Sequence, residues 1–215
     1  MIATEIDILL SDVALKGGLV IPEKAVGIVV FSHGSGSSRF SPRNRMVAEL
    51  MQQQGIGTLL FDLLTEEEDE IYENRFNIDL LVSRLIEATE WLLKYKGARG
   101  LPVAFFGAST GAASALRAAA FFGKKVKAVV SRGGRPDLAM NELSQVSAPT
   151  LLIVGGLDFQ VIEMNREAFE QLNTIKELKI IPGATHLFEE PGKLQEVADL
   201  AIAWYKRYLP MRTNF

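Results

Sequence analysis

Short, uninterrupted apolar runs alternate along most of the chain with longer stretches whose apolar positions recur every three or four residues. The first pattern is typical of strands buried on both faces of a sheet, and the second is typical of amphipathic helices. Together they predict strands at 27–34, 57–64, 102–107, 126–131, 150–156 and 178–183, and helices at 42–54, 77–95, 110–122, 160–172 and 193–208. Because strands separated by helices need crossover connections, we expect a mainly parallel sheet with helices on both faces.

The beginning of the chain follows a different pattern. Residues 4–10 and 13–21 alternate apolar and polar positions and are separated by the turn signal Ser11-Asp12. This alternation predicts an antiparallel pair of strands or a meander at the edge of the sheet. Since the sequence contains no internal repeat, low-complexity segment or linker, we expect a single domain over residues 1–215.

Two stretches interrupt the alternation of strands and helices. Residues 65–76 (TEEEDEIYENRF) are acidic without a clear period, and residues 132–149 contain several turn signals. Each stretch follows the end of a predicted strand, where open α/β sheets bind their ligands, so we expect both to border the site. The acidic run is also compatible with a solvated loop or the start of a helix.

Composition and charge exclude several classes of protein. The net charge of −3 and a sequence pI of about 5.6 give no basis for nucleic-acid binding. The absence of cysteine excludes disulfides, thiolate metal sites and cysteine nucleophiles. No apolar run approaches the roughly 20 residues that span a bilayer, and the first residues lack the features of a secretory signal. We therefore expect a cytoplasmic protein without membrane contact.

The strongest chemical signal is the pentapeptide GASTG at residues 107–111. It lies between an apolar strand and an alanine-rich helix, which is the setting of a nucleophile elbow. There, glycines let strand and helix approach closely, and the central residue, Ser109, projects from a strained turn. The N–H of Thr110, at the start of the helix, is predicted to face a developing oxyanion. The alternative is a tight strand–helix turn with an inert serine.

A serine hydroxyl needs a base to become nucleophilic, and the chain contains only two histidines. His186 follows the last predicted strand and precedes the last helix, so it can reach Ser109 from the same edge of the sheet. The other histidine, His33, also follows a strand, but it lies upstream of the serine. His186 is therefore the predicted base, and the alternative for either histidine is a packing or surface role.

Asp158 follows the penultimate predicted strand and is expected to orient His186 and to stabilise its cationic form. The order Ser109, Asp158, His186 along the chain supports this assignment. Asp62 precedes the serine and is interpreted as part of the wall of the site. Asp137 lies one strand too early, and it stays open as a substitute for Asp158.

The segment HGSGSS (33–38) follows the first buried strand, and its small residues allow backbone N–H groups to face the site. We expect it to supply a second oxyanion donor from residues 34–37, with the N–H of Ser35 as the candidate. Its composition also resembles a phosphate-binding loop. However, it lacks the lysine and the spacing of a P-loop, and no metal site is predicted.

Five segments together resemble the dienelactone-hydrolase-related branch of the α/β-hydrolases: HGSGSSRFSPRN (33–44), GASTG (107–111), SRGGRPDLA (131–139), VGGLDFQV (154–161) and GATHLFEEPG (183–192). The resemblance covers nearly the whole chain. It implies the α/β-hydrolase fold with about eight mostly parallel strands, no large cap domain, and hydrolysis of esters or related acyl compounds without a cofactor. Dienelactone hydrolases proper carry a cysteine at the elbow, where this chain has Ser109. The resemblance therefore supports acyl-transfer chemistry without identifying the dienelactone as substrate.

Four arginines lie in the loops that follow predicted strands: Arg39, Arg43, Arg132 and Arg135. A guanidinium group can hold a carboxylate or a phosphate in a fork of hydrogen bonds, so these residues are candidates for binding an anionic substrate. The alternative is that they tie the loops together through carbonyl groups and carboxylates such as Asp137.

The predicted function is hydrolysis of a small acyl compound by a Ser109–His186–Asp158 triad through an acyl-enzyme intermediate. The expected partner is a small acyl substrate that carries an anionic group if the loop arginines bind it. Two alternatives stay open. The same triad could serve a thioesterase or an acyltransferase, and the fold could serve as a binding module without turnover.

Overall fold

The structure, a computed structural model, describes residues 3–209, and it is built on a sheet of eight strands. The strands are β1 (Ala3–Leu9), β2 (Ala14–Val20), β3 (Ile28–Ser32), β4 (Gly57–Phe61), β5 (Val103–Ala108), β6 (Val126–Arg132), β7 (Thr150–Gly155) and β8 (Lys176–Ile181). The α-helices of the described chain are α1 (Pro42–Gln53), α2 (Glu66–Glu70), α3 (Ile78–Lys94), α4 (Thr110–Phe122), α5 (Phe159–Gln171) and α6 (Lys193–Tyr208).

The strands follow the order β1-β2-β4-β3-β5-β6-β7-β8 across the sheet. The β1–β2 and β2–β4 pairs are antiparallel, and every pair from β4–β3 to β7–β8 is parallel. The predicted architecture, a mostly parallel sheet with an antiparallel N-terminal edge, is confirmed. Because parallel strands end at the same edge, the loops that follow β3 to β8 are brought together there.

The predicted bounds of three strands differ from the structure by two or three residues. β3 ends at Ser32 rather than at residue 34. β4 ends at Phe61 rather than at residue 64, because the chain bends at Leu63 and Leu64. β8 begins at Lys176 rather than at residue 178, since Lys176 pairs with Thr150 at the start of β7. The N-terminal end of β8 is half-exposed, so its sequence carries little of the apolar signal on which the prediction depends.

The sheet is covered on both faces. Successive residues of β5 point to opposite faces, so Val103 and Phe105 pack with one hydrophobic cluster and Ala104 and Phe106 with the other. Helices α1 and α6 cover the face of Phe106, and α3 and α4 cover the face of Phe105. This double burial explains why the parallel strands are continuous apolar runs in the sequence.

The acidic stretch at 65–76 forms α2 and a short 3-10 helix, which corresponds to the helical start left open by the sequence. Thr65 and Glu68 form a capping box: the Glu68 N–H donates to Thr65 Oγ1, and the Thr65 N–H donates to a carboxylate oxygen of Glu68. The other carboxylate oxygen of Glu68 pairs with the buried Arg84 of α3 at 2.6 Å. The segment is therefore anchored to the helix layer beneath it.

The connection from β6 to β7, residues 133–149, contains only two short 3-10 turns, so no cap domain is inserted there. Between residues 3 and 209, no helix is long and apolar enough to cross a bilayer.

Helix α4 begins in direct contact with the end of β3. A Cβ atom placed on Gly111, the second residue of α4, would overlap the carbonyl oxygen of Ser32 and would lie 2.5 Å from that of His33. Only a glycine therefore allows this approach without displacing backbone. The contact fixes the first turn of α4 beside the loop that follows β3.

The substitution Gly111→Ala should lower the free energy of unfolding by about 1–3 kcal/mol, because the added methyl group must push two backbone segments apart. Gly18→Ala is the matched control. A Cβ there would have the side chain of Glu5 as its nearest neighbour, at 3.9 Å, so its stability should change little. Urea denaturation followed by circular dichroism measures both. Equal effects of the two substitutions would mean that the β3–α4 contact does not constrain the fold.

Candidate active site

Ser109 lies between β5 and α4 with backbone angles of φ 52° and ψ −123°, a conformation that side chains other than glycine rarely adopt. Three backbone hydrogen bonds hold it there. Its N–H donates to the carbonyl of Arg132 at 3.2 Å, and its carbonyl accepts from the N–H groups of Ala112 and Arg135, each at 3.0 Å. The strained turn is thus fixed by its own helix and by the loop after β6, as a nucleophile elbow requires.

The imidazole of His186 lies between Ser109 and Asp158. Its Nε2 is 3.3 Å from Ser109 Oγ, and its Nδ1 is 2.6 Å from Asp158 Oδ2. With the proton on Nδ1, the ring donates to the carboxylate and offers Nε2 as acceptor to the serine hydroxyl. The side chain of Asp158 is 16% exposed and that of His186 is 38% exposed. The structure therefore brings together the three side chains that the sequence predicted as a triad.

The two competing carboxylates are engaged elsewhere. Asp62 accepts from the backbone N–H of Arg39 at 2.8 Å and forms an ion pair with its guanidinium group. Asp137 binds Arg135 through two hydrogen bonds of 2.9 and 2.8 Å. Of these aspartates, only Asp158 is hydrogen-bonded to the base, so the geometry favours Asp158 over the Asp137 alternative.

The loop after β3 packs directly on the serine. A Cβ placed on Gly34 would lie 3.0 Å from the Cβ of Ser109. The N–H of Ser35 donates to the side-chain hydroxyl of Thr110 at 2.8 Å, so in this structure it already has an acceptor. Thr110 is the first residue of α4, where backbone N–H groups have no partner within the helix. The two predicted oxyanion donors are thus neighbours, and the hydroxyl of Thr110 is bonded to one of them.

His33 is buried and bonded on both sides of its ring. Nδ1 donates to the carbonyl of Gly34 at 3.0 Å, and Nε2 accepts from the N–H of Leu63 at 3.1 Å. Burial holds the pKa of His33 below its ordinary value, which keeps the ring neutral, as its acceptor role requires. His33 is therefore a structural tie between the loop after β3 and the end of β4, which is the packing role left open for it.

Three of the four predicted substrate-binding arginines have a carboxylate partner. Arg39 pairs with Asp62, Arg135 with Asp137 and Arg43 with Glu189, the last at 2.6 Å. These ion pairs correspond to the alternative in which the arginines connect the loops to one another. The segment after β6 borders the site, because the N–H of Arg135 donates to the carbonyl of Ser109. The acidic segment lines a neighbouring cavity of about 220 Å³, in which Thr65 lies with His33 and Asp62, so its expected place beside the triad stays a prediction.

Arg132 differs from the other three. It is 6% exposed, and no carboxylate of the described chain lies within 4.0 Å of it. Its only side-chain hydrogen bond runs from Nη2 to Asn44 Oδ1, at 3.3 Å. Burial, assisted by the nearby charge of Arg43, lowers the pKa of Arg132 to about 10.

Two residues near the site were not predicted from the sequence. Phe188, two positions after His186, is fully buried with φ 57°. Together with Ser109 it is one of two residues other than glycine with positive φ between residues 3 and 209. Asn44, on the first turn of α1, is buried against Arg132. Neither residue type indicates a function by itself, and the only signal is that each lies in a segment that carries the family resemblance, 33–44 for Asn44 and 183–192 for Phe188.

The chain was compared with known families and structures. The model of the Dienelactone hydrolase family matches residues 15–209. The crystal structure of a dienelactone hydrolase from Anabaena variabilis is 57% identical with a TM-score of 0.94, and the match covers 97% of this chain and 98% of that one. Est1E from Butyrivibrio proteoclasticus has a TM-score of 0.81 at 15% identity, covering 94% of this chain and 98% of that one, which shows a shared fold alone.

Curated relatives from two strains of Mycobacterium tuberculosis, named "Putative phosphoribosyl transferase", are 55% identical over 205 residues. The match covers 95% of this chain but 46% of theirs, so this chain spans about half the length of these relatives. The match to the family model covers nearly all of this chain, since residues 15–209 include the sheet from β2 onward and all six described helices. The chain therefore belongs to the dienelactone hydrolase family and has the α/β-hydrolase fold.

Proposed function

We propose that this chain is a serine hydrolase that cleaves a small ester or related acyl compound, with Ser109 as nucleophile, His186 as general base and Asp158 as the acid that orients the base. The observation that carries the proposal is a pair of hydrogen bonds that link Asp158 Oδ2, the two ring nitrogens of His186 and Ser109 Oγ. Membership of a hydrolase family supports the reaction class.

The hydrogen bond between Asp158 and His186 determines which ring nitrogen of His186 can accept a proton from the serine. Because Asp158 Oδ2 accepts from Nδ1–H at 2.6 Å, the lone pair of Nε2 is directed at the serine hydroxyl. The Ser109 Oγ–Nε2 separation of 3.3 Å is longer than an ideal hydrogen bond, as is common before substrate binds. The carboxylate also stabilises the imidazolium ion that forms when the ring takes the proton.

In the proposed reaction Ser109 Oγ attacks the acyl carbon, and its proton passes to His186 Nε2. The carbonyl oxygen becomes an oxyanion next to the N–H of Thr110, at the N-terminal end of the α4 dipole. When the tetrahedral intermediate collapses, the bond to the leaving group breaks and His186 returns the proton to it. Water then attacks the acyl-enzyme by the same steps, which releases the acid and restores Ser109.

The second oxyanion donor is proposed to come from residues 34–37, with Ser35 as the candidate. The contact of Gly34 with the Cβ of Ser109 supports a donor from this loop. The Ser35 N–H donates to Thr110 Oγ1 in this structure. To bind the oxyanion, this N–H must leave Thr110 Oγ1 or donate to both oxygens at once.

Thioester hydrolysis and acyl transfer use the same groups and are separated from ester hydrolysis only by substrate. A panel of activated esters, acyl thioesters and lactones, assayed with and without an added alcohol acceptor, distinguishes them. The phosphoribosyl transferase name belongs to Mycobacterium relatives that are about twice as long, of which this chain covers 46%.

Ser109→Ala should lower kcat on any hydrolysed ester by about 10⁴- to 10⁶-fold and abolish labelling by a fluorophosphonate, since it removes the hydroxyl that is bonded to His186 Nε2. Ser83→Ala is the control, because Ser83 is an exposed serine of α3 that bonds to Glu87. It should keep both labelling and turnover. Labelling of Ser109→Ala at the wild-type rate would refute the assignment, and an unlabelled wild-type chain would favour a binding module.

Asp158→Asn should lower kcat by roughly 10⁴-fold while leaving KM little changed, because an amide can no longer hold the imidazole in the required tautomer. Asp137→Asn tests the alternative acid. It should cause a far smaller loss, since Asp137 binds Arg135 and not His186. The comparison is made at saturating substrate. If the two losses were reversed, Asp137 would be the orienting acid.

A further inference from the structure

The peptide group between Gly134 and Arg135 connects the nucleophile to helix α5. Its N–H, that of Arg135, donates to the carbonyl of Ser109 at 3.0 Å. Its carbonyl, that of Gly134, accepts from Asn165 Nδ2, also at 3.0 Å. Because a peptide group is planar and stiff, a rotation that breaks one of these hydrogen bonds also disturbs the other. Asn165 is thus linked to the strained turn at Ser109 through a single rigid unit.

The orientation of this peptide group depends on Asn165. Gly134 is buried, and among residues 3–209 only Asn165 donates a hydrogen bond to its carbonyl. A Cβ placed on Gly134 would overlap Ser131 Oγ and would lie 2.5 Å from the Cβ of Ala112, so the peptide group lies directly against the end of β6 and the first turn of α4. A buried carbonyl without a donor is unfavourable. Without the amide of Asn165, we therefore expect the peptide group to rotate.

Packing alone does not explain an asparagine at this position. Asn165 is fully buried on α5, and the other buried residues of that helix are apolar. Asn165 Oδ1 has no hydrogen-bond partner, which destabilises the folded state, and a leucine of similar volume would avoid that penalty. The reverse orientation of the amide would place Oδ1 against the carbonyl oxygens of Gly134 and Val161, so the contacts identify Nδ2 as the donor.

Of the two acceptors of Asn165 Nδ2, only the carbonyl of Gly134 depends on it. The other, the carbonyl of Val161 at 2.8 Å, lies one turn earlier in the same helix. In the regular helical pattern that carbonyl also accepts the backbone N–H of Asn165. The function of the amide is therefore to hold the loop after β6.

Helix α5 also positions the acid of the triad. Asp158 precedes its first turn, and the carbonyl of Asp158 accepts from the N–H of Ile162 at 2.9 Å. Asn165 follows Asp158 by about two turns of the same helix. The helix is thus connected to His186 through Asp158 Oδ2 and to the backbone of Ser109 through Asn165. The Ser109 Oγ–His186 Nε2 separation of 3.3 Å depends on both connections.

We propose that Asn165 is a positioning residue, which holds the peptide group of Gly134 and Arg135 in the orientation that keeps Ser109 aligned with His186. Since Asn165 is fully buried, it acts without touching the substrate. A misplacement of about 1 Å at the reacting atoms can lower a rate by about 100-fold, so control of one peptide group is sufficient for a large effect. The proposal rests on the proposed hydrolase function and adds to it a residue outside the triad.

Asn165→Leu keeps the volume of the side chain and removes the donor. It should lower kcat for an activated ester by about 10- to 100-fold and change KM by less than about threefold, because Ser109 is displaced while the surface that binds the substrate is retained. The rate of fluorophosphonate labelling should fall by a similar factor. A kcat within about twofold of the wild type would overturn the proposal.

Thr150→Val is the matched control. Thr150 is also fully buried, and its hydroxyl donates to the carbonyl of Ala148 at 2.9 Å. It is the first residue of β7, at the end of the strand away from the site. Valine keeps the shape and removes the hydrogen bond, so stability should fall while kcat and labelling stay at the wild-type level. An equal loss of kcat in Thr150→Val and Asn165→Leu would trace the effect to lost stability and overturn the proposal.

The Asn165→Asp variant nearly keeps the shape of the wild type and tests the donor directly, also if Asn165→Leu does not fold. A neutral carboxyl group can donate to the Gly134 carbonyl through its O–H, whereas a carboxylate cannot. Burial raises the pKa of a carboxyl group, so at about pH 5.5 the variant should keep at least about a third of the wild-type kcat. Above that pH, ionisation can only lower the ratio of the two kcat values. A ratio below about one tenth at pH 5.5 would overturn the proposal.

Amide hydrogen exchange, followed by NMR, tests the structural step independently of turnover. The hydrogen bond to Ser109 protects the Arg135 N–H in the wild type. Asn165→Leu should accelerate its exchange by about tenfold or more, and Thr150→Val should not. Unchanged protection in Asn165→Leu would overturn the proposal. If the wild type neither hydrolysed an ester nor reacted with a fluorophosphonate, the hydrolase function would fail, and the exchange rate of Arg135 would still decide whether Asn165 holds the turn at Ser109.

Discussion

Helix α4 starts against the carboxyl end of β3, and the backbone at Gly111 is too close to the carbonyl groups of Ser32 and His33 to admit a side chain. The position of the nucleophile follows from that contact. It forces the chain to reverse direction sharply after β5, which leaves Ser109 in its strained conformation. It also places Thr110, the first residue of α4, beside the loop after β3, whose Ser35 N–H donates to the Thr110 hydroxyl.

Charged side chains position the loops around this elbow, in addition to the backbone hydrogen bonds of Ser109 and the burial of Phe188. Arg39 and Arg135 each bind a carboxylate, and Arg43 bridges the start of α1 to the loop of His186 through Glu189. Exposed pairs of this kind contribute little to stability, but they define where the loops lie. Arg132 is chemically the same residue in the same ring of loops. It differs in that no carboxylate of residues 3–209 lies within 4.0 Å of it, and its guanidinium group donates only to Asn44.

The fold was largely predictable because strands buried on both faces and amphipathic helices leave periodic patterns that need no knowledge of distant contacts. The grouping of Ser109, His186 and Asp158 was also predictable, since each follows a strand of one parallel sheet. The carboxylate partners of the loop arginines were not predictable from the sequence. Arg43 and Glu189 are 146 positions apart, and a long flexible side chain can reach several carboxylates. The bond between Ser35 and Thr110 depends likewise on the approach of two loops that no local pattern encodes.

That bond between the Ser35 N–H and the hydroxyl of Thr110 has a consequence for how an acyl group is recognised. A neutral ester carbonyl is no better an acceptor than a threonine hydroxyl, so a substrate at rest gains little by displacing it. A fully charged oxygen is a much stronger acceptor and can take the N–H for itself. If Ser35 is the second oxyanion donor, its N–H leaves the Thr110 hydroxyl only after negative charge has developed on the carbonyl oxygen. The new hydrogen bond then stabilises the transition state rather than the bound substrate.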